Sequence, residues 1–291
     1  MSATGLSLEE VAELLGVHYM TVYRYVRQGR LEARRVKGIW RVSDEAIKRF
    51  QKERSRASKN KAGPSMDSRR IGNYVVELER CLIAADATGA WAVLERAIAA
   101  GADVDEVYLN ILSPALASIG EQWAQGRLDI AVEHQATAIV TRLVGQLSPR
   151  FSRRGRRRGV VVIGGPPGER HALTLAMLGD LLRREGWDVM DLGADTPEES
   201  FVHAVMSIGD VVAVGVSVGS DENLVSAAAT VVALRRDLGD EVPVVIGGPA
   251  VRDLDHARSL GAEYFADGAR SFMELLDQLR DRVRPGSTSD R

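Results

Sequence analysis

Apolar residues change their spacing along this chain, and each change marks a different kind of element. Between residues 69 and 148, Ala, Leu, Ile and Val recur every three or four positions in four runs, roughly 72–86, 90–100, 104–124 and 130–147. That is the period of helices with one buried face. Gly89, Gly101 and Gly126 punctuate the runs, and Asp103 and Asp129 stand where helix N-caps belong. Four helices with short connections predict an antiparallel bundle. From residue 159 the pattern becomes short apolar runs, GVVVIG, WDVMDLG, VVAVGVS and VPVVIGG, each followed by a helical pattern. A weaker fifth run, AEYFAD, precedes a last helix from about Ser271. Strands apolar on both faces and alternating with helices predict a doubly wound parallel sheet. Ligands bind such sheets at the carboxyl ends of the strands, so the loops to watch are Gly165–His171, Gly193–Pro197, Ser217–Asp221 and Gly248–Arg252.

The first fifty residues read differently. Ser7 is placed to cap a helix with Leu8, Val11, Ala12 and Leu15 on one face, and Gly16-Val17 makes a tight turn. A second helix follows from about Tyr19 to Gln28 with Val22 and Val26 inward, and RRVKGIWRVSDEAIKRF predicts a hairpin wing and a third helix. This spacing is that of a helix-turn-helix, whose second helix can enter a major groove. His18, Tyr19, Met20, Thr21, Tyr23, Arg24 and Arg27 then face outward. Arg24 and Arg27 suit guanine edges or phosphates, while Arg34, Arg35, Lys37 and Arg41 on the wing suit phosphates. The alternative is a small protein-docking domain with an ordinary basic surface. Charge favours DNA: residues 1–63 hold fourteen Lys/Arg against seven Asp/Glu, a net of +7, so the remaining residues total -9 within an overall -2. The stretch LSLEEVAELLGVHYMTVYRYVRQGRL, with a wing ending in Trp40-Arg41, resembles the excisionase-like and MerR-like winged DNA-binding domains. That resemblance implies double-stranded DNA as a partner.

Composition adds bounds. At 291 residues, 45% hydrophobic and 27% charged, the chain is long enough for two or three domains and is neither disordered nor fibrous. Its longest apolar runs, such as Val211–Val218, fall far short of the ~20 residues of a membrane span. No secretory signal is visible, and with Cys81 the only cysteine neither an intrachain disulfide nor a thiolate zinc site is available. A cytoplasmic protein is expected. Residues 51–68 read as a polar linker, 149–158 (PRFSRRGRRR) as a short basic one, and Pro285–Arg291 as a frayed tail. The predicted division is 1–63, a winged helix-turn-helix with linker; 64–150, a four-helix bundle; and 151–291, the sheet domain with its tail.

The loop after the first sheet strand, Gly164-Gly165-Pro166-Pro167-Gly168-Glu169, is no dinucleotide fingerprint, because its prolines remove amide donors. A phosphate-binding P-loop is absent, Ser217 stands where a phospho-receiver would place an aspartate, and no nucleophile elbow appears. Independent catalysis is therefore not expected. What the loop offers is Glu169-Arg170-His171 directly before a helix: an imidazole over the sheet edge with a carboxylate near enough to accept its other ring N–H. The plain alternative is that His171 caps the helix. With Ser217 after the third strand and Gly247-Gly248 after the fourth, the segment resembles the cobalamin-binding domain and its pattern E/D-x-H-x-x-G, S-x-L, G-G. That resemblance implies His171 as the lower axial cobalt ligand, Glu169 as its hydrogen-bond partner, and a nucleotide tail passing Ser217, Gly247 and Gly248. Thr174 replaces the family glycine and Gly219 the family leucine.

Trp123 ends the third bundle helix and Glu133-His134 opens the fourth, a W-x9-E-H arrangement that a turn at Gly126 brings to one end of the bundle. Taken alone, this could be a core tryptophan and a polar helix start. It resembles the cap of CarH-type cobalamin photoreceptors, transcriptional repressors with a MerR-like head. The resemblance implies a bundle that caps the cofactor, adenosylcobalamin, with Trp123 and Glu133 over its upper face and His134 beside them. Where those photoreceptors have a histidine after the tryptophan, this chain has Ala124, which leaves light sensing open. A cobalamin-responsive repressor working as a dimer or tetramer is the expected function. The alternatives are a corrinoid carrier for methyl transfer, and a regulator whose sheet domain binds another ligand or only mediates assembly.

Overall fold

The computed structural model describes residues 5–8, 10, 11, 22, 25, 26, 31–36, 39–43, 45–50, 68–152, 155 and 157–283. The chain forms two compact units, residues 1–65 and 66–291.

In the first unit Ser7 begins a helix through a reciprocal cap: its Oγ accepts from the Glu10 amide at 3.2 Å, and Glu10 Oε2 accepts from the Ser7 amide at 2.7 Å. Leu8, Val11, Val22, Val26, Ile47 and Phe50 form its core, with Tyr25 tilted against Phe50. Strands β1 (Arg34–Val36) and β2 (Ile39–Arg41) pair antiparallel as a wing, with Arg35 opposite Trp40 and its guanidinium 5.1 Å from the indole centroid. Residues 45–50 are helical.

The second unit opens with the bundle: α1 (Ser68–Ile83), α2 (Ala87–Ala99), α3 (Val104–Glu106), α4 (Ser113–Ala124) and α5 (Ile130–Leu147). Asp103 and Asp129 cap α3 and α5 as predicted, Asp103 with a full capping box. Gly89 does not end a helix. The break falls at Ala85, with φ +60°, and Asp86 caps α2 by accepting from the Gly89 amide at 2.8 Å. The run predicted as one helix over 104–124 is interrupted by a π-helical segment, Val107–Leu112. Pro114 explains it: proline has no amide to donate inside a helix, and the ladder shifts so that the Ser113 amide and Oγ both reach the Tyr108 carbonyl. A second correction concerns 149–158. The stretch does not start as a linker, because Ser148–Phe151 is a 3₁₀ turn and Phe151 is buried against Tyr108, ring centroids 4.4 Å apart.

The sheet half alternates β3 (Val160–Gly164), α6 (Ala172–Arg184), β4 (Asp188–Asp191), α7 (Glu198–Ile208), β5 (Val211–Ser217), α8 (Leu224–Leu238), β6 (Val244–Gly247), α9 (Leu254–Ser259), β7 (Tyr264–Ala266) and α10 (Ala269–Val283). All five strands are parallel in the order β4-β3-β5-β6-β7. Val161 and Ile163 pack with α6 and α10 on one face, while Val162 packs with α7, α8 and α9 on the other, the period of two expected of a strand buried on both sides. Because β3 lies between β4 and β5, the chain winds away from it in both directions. The crevice between the carboxyl ends of β3 and β5 is therefore the topological switch point. Helix α6 is shared: Leu175 and Leu182 face the sheet, and Met177 and Leu181 join the bundle core.

Candidate cofactor site at the switch point

The loop after β3 turns back over the sheet edge and ends at His171, the N-cap position of α6. His171 makes no side-chain cap bond, so the capping alternative fails. Its Nδ1 instead meets Glu169 Oε1 in a very short contact, and its own amide donates to the same oxygen at 2.9 Å. Glu169 is 1% exposed. Its other oxygen accepts from the Gly219 amide at 2.5 Å and from Asn223 Nδ2 at 3.2 Å. Gly219 and Asn223 follow β5, so the carboxylate is tied across the switch point by donors from the loop opposite. The imidazole is 58% exposed, and no hydrogen bond reaches its Nε2 among the described residues.

The charges match this arrangement. Burial alone would push the Glu169 carboxyl up, but hydrogen bonds from the His171 ring, the Gly219 amide and the His171 amide, with the imidazolium charge, hold it at about 2. His171 is raised by its bond to Glu169; burial opposes this, and the charges of Glu169 and Glu133 add to it. Glu133 lies in the first turn of α5, so the bundle brings a carboxylate close enough to act on the imidazole. Glu133 accepts from Thr137 Oγ1 at 2.9 Å and lies 3.7 Å from His134 Nε2. His134 itself is 73% exposed. Trp123, the next-to-last residue of α4, is 45% exposed although it is the largest kind of apolar side chain. The turn through Gly126, φ +69°, brings the end of α4 and the start of α5 together.

Of the other predicted residues, Ser217 and Gly247 end β5 and β6 and pair with each other, with Gly248 immediately after. Both glycines have reasons within the fold. A Cβ at Gly247 would lie 2.4 Å from the Ala266 carbonyl oxygen, and Gly248, φ +107°, would meet that of Val218 at 2.3 Å. Thr174 lies exposed in the first turn of α6. In the head, Arg34 and Arg35 are exposed on the wing, whereas Arg41 donates to the Gly5 carbonyl and pairs with Glu10 at 3.8 Å. His18, Thr21, Tyr23, Arg24, Arg27 and Lys37 lie outside the described residues. Sequence reasoning missed the Gly219 amide, Asn223 and Thr137. A carboxylate buried at a sheet edge needs more donors than one imidazole supplies, and that was the signal that others had to exist.

The Helix-turn-helix domain family matches residues 6–55, and families described as B12 binding domain match 75–148 and 159–276. The chain carries a helix-turn-helix head and a two-part B12-binding body. Residues of the chain are 34% identical over 186 positions to the HTH-type transcriptional repressor CarA of Myxococcus xanthus, covering 62% of this chain and 59% of CarA. They are 33% identical over 144 positions to the repressor CarH of the same organism, covering 49% and 47%. The similarity thus spans about half the length of these repressors. Trimethylamine corrinoid protein 2 of Methanosarcina mazei is 25% identical over 185 residues, 61% of this chain and 82% of that one. The monomethylamine corrinoid protein of Methanosarcina barkeri superposes with a TM-score of 0.64 at 17% identity, over 71% of this chain and 99% of that chain, and so has the same bundle-and-sheet fold.

The B12-binding body has the donor set such a cofactor needs. An imidazole at the sheet edge, backed through one nitrogen by a buried carboxylate and with no partner for the other nitrogen among the described residues, suits a cobalt ligand. At the end of α4, the half-exposed Trp123 offers a flat apolar surface that is not part of the bundle core.

Proposed function

We propose that this protein is a cobalamin-responsive transcriptional repressor whose head binds double-stranded DNA and whose body holds adenosylcobalamin between bundle and sheet. The observation that carries the reading is the Glu169–His171 pair at the switch point, within electrostatic reach of Glu133 from the capping bundle. His171 would hold the cobalt through Nε2, with Glu169, held by Gly219 and Asn223, fixing the ring's tautomer and direction. Ser217 and the backbone of Gly247-Gly248 border the path of the nucleotide tail. Trp123 and Glu133, with His134 beside Glu133, would cover the cofactor from the bundle side. When bound, the cofactor supplies an alkyl–cobalt bond that light cleaves. Ala124 has no lone pair and would offer the cobalt no ligand, so the chain's response would lie in repacking around Trp123. Arg34 and Arg35, with Arg24, Arg27, His18, Thr21, Tyr23 and Lys37, form the DNA surface, and one such head per chain favours a dimer or tetramer on paired half-sites. The similarity to proteins described as HTH-type transcriptional repressors, together with the helix-turn-helix match of the head, supports regulation, and the proposal places the protein in the cytoplasm.

A corrinoid carrier is the second reading, favoured by the resemblance of the body alone to corrinoid proteins. It leaves the head without a task. Titration of the full chain with adenosylcobalamin in the dark tests the reading through the visible spectrum. We expect uptake by the wild type and strongly weakened uptake by His171→Ala. No uptake, or uptake indifferent to His171, would overturn it.

A further inference from the structure

Three glycines line the carboxyl edge of the sheet near the imidazole, and they are not equivalent. Gly247 and Gly248 are held to glycine by backbone carbonyls of the chain itself. Gly219 is different. Its φ lies outside the left-handed region, and the three atoms nearest to a Cβ there belong to His171: Nδ1 at 2.3 Å, Cε1 at 2.9 Å and Cγ at 2.9 Å. The space that a side chain would fill at position 219 is occupied by the imidazole. The same residue's amide donates to Glu169 Oε2 at 2.5 Å. Gly219 therefore acts on both members of the pair, one through a hydrogen present and the other through a side chain missing.

We infer that Gly219 is the positioning residue that lets His171 lie against Glu169, and so sets the direction in which the imidazole meets the cobalt. The inference rests on the cobalamin reading for its consequence, but its geometric part concerns the cofactor-free protein. Any Cβ at 219 meets Nδ1 first, the very atom that Glu169 holds, so the ring must rotate off the carboxylate. An imidazole freed in this way loses its fixed tautomer, and metal affinity falls by about 10–100-fold, as when a ligand's supporting partner is removed.

The test uses full-length protein in two arms. In cofactor-free protein with 15N-labelled histidine, the His171 Nδ1 proton, identified by its loss in His171→Ala, should appear in the wild type and disappear or shift strongly in Gly219→Ala. Melting temperatures complete this arm as a cycle. Gly219→Ala should lower stability in the wild type and should cost nothing further in His171→Ala, where the ring is gone. An equal loss in both backgrounds, or an unmoved Nδ1 proton, would overturn the inference by showing that the obstruction is not the imidazole. In the second arm the protein is loaded with cob(II)alamin, and electron paramagnetic resonance reads the axial nitrogen. The 15N-histidine wild type should show a doublet, and Gly219→Ala should lose it or need about 10–100-fold more cofactor to show it. An identical doublet at identical affinity would also overturn the inference. A wild type that binds no cobalamin would sink the functional reading alone, while the first arm still decides the role of Gly219.

Discussion

At the scale of single residues, the pair at the sheet edge dominates. The Glu169–His171 spacing was legible because both residues sit in one short loop before a helix. The donors that complete it were not, since Gly219 and Asn223 lie 50 and 54 positions away and only the parallel order β3-β5 brings them near. Gly247 and Gly248 were recognised as important for the tail of a ligand, yet their immediate cause is the carbonyls of Ala266 and Val218. The pair also predicts a pH dependence. A carboxyl lowered from 4.5 to about 2 stabilises the fold above 4.5 and loses that contribution as pH falls toward 2. An imidazole raised above 6.5 stabilises it below 6.5 and loses the contribution as pH rises through the folded value. Both describe one interaction, at its strongest between 4.5 and 6.5. The difference in urea stability between cofactor-free wild type and His171→Ala should peak in that window and shrink on either side. A difference that is level from about pH 4 to pH 8 would contradict the linkage.

At the scale of elements, helix α6 joins the site to the rest of the body. Its first turn follows His171, and its last two turns are fastened to the bundle. Buried Asp180 accepts from Tyr108 at 2.9 Å and from Ser148 at 2.8 Å, and Arg183 reaches it at 3.3 Å. Arg184 pairs with Asp103 and, at 3.2 Å, with Asp105. Burial, followed by the Asp180 charge and hydrogen bond, pushes the Tyr108 hydroxyl far up, so it stays a donor. The helices themselves were readable from their period of three and four. The π-segment was not, because apolar spacing does not register that Pro114 lacks an amide, nor that the shifted turn places Tyr108 against a residue 72 positions later. Phe151 was assigned to a linker for the same kind of reason: its arginine neighbours set the local composition, while its ring packs on Tyr108. Tyr108→Phe removes a bond to a buried charge and should cost about 1.5–3 kcal/mol in urea unfolding. A loss below about 0.5 kcal/mol would mean that Ser148 and Arg183 alone satisfy Asp180.

At the scale of the whole molecule, a basic head of net +7 is joined to a body of net -9. This separation favours phosphates as partners of the head, whereas the body's net charge opposes them outside its basic stretch at 149–158. DNA affinity of the full chain should fall steeply with salt, roughly in proportion to the phosphates neutralised, and Arg34→Ala should flatten that slope by about one contact. An unchanged slope would take Arg34 out of the interface. The central claim is that occupancy at His171 governs the head. The most direct measurement is the affinity of the full chain for DNA from upstream of its own gene, in the dark, with and without adenosylcobalamin, for wild type and His171→Ala. We expect a change of about 5–150-fold on adding cofactor to the wild type, the range of ordinary coupling between sites, and none for His171→Ala. Equal DNA affinity of the wild type with and without cofactor, or a cofactor response that survives His171→Ala, would contradict it.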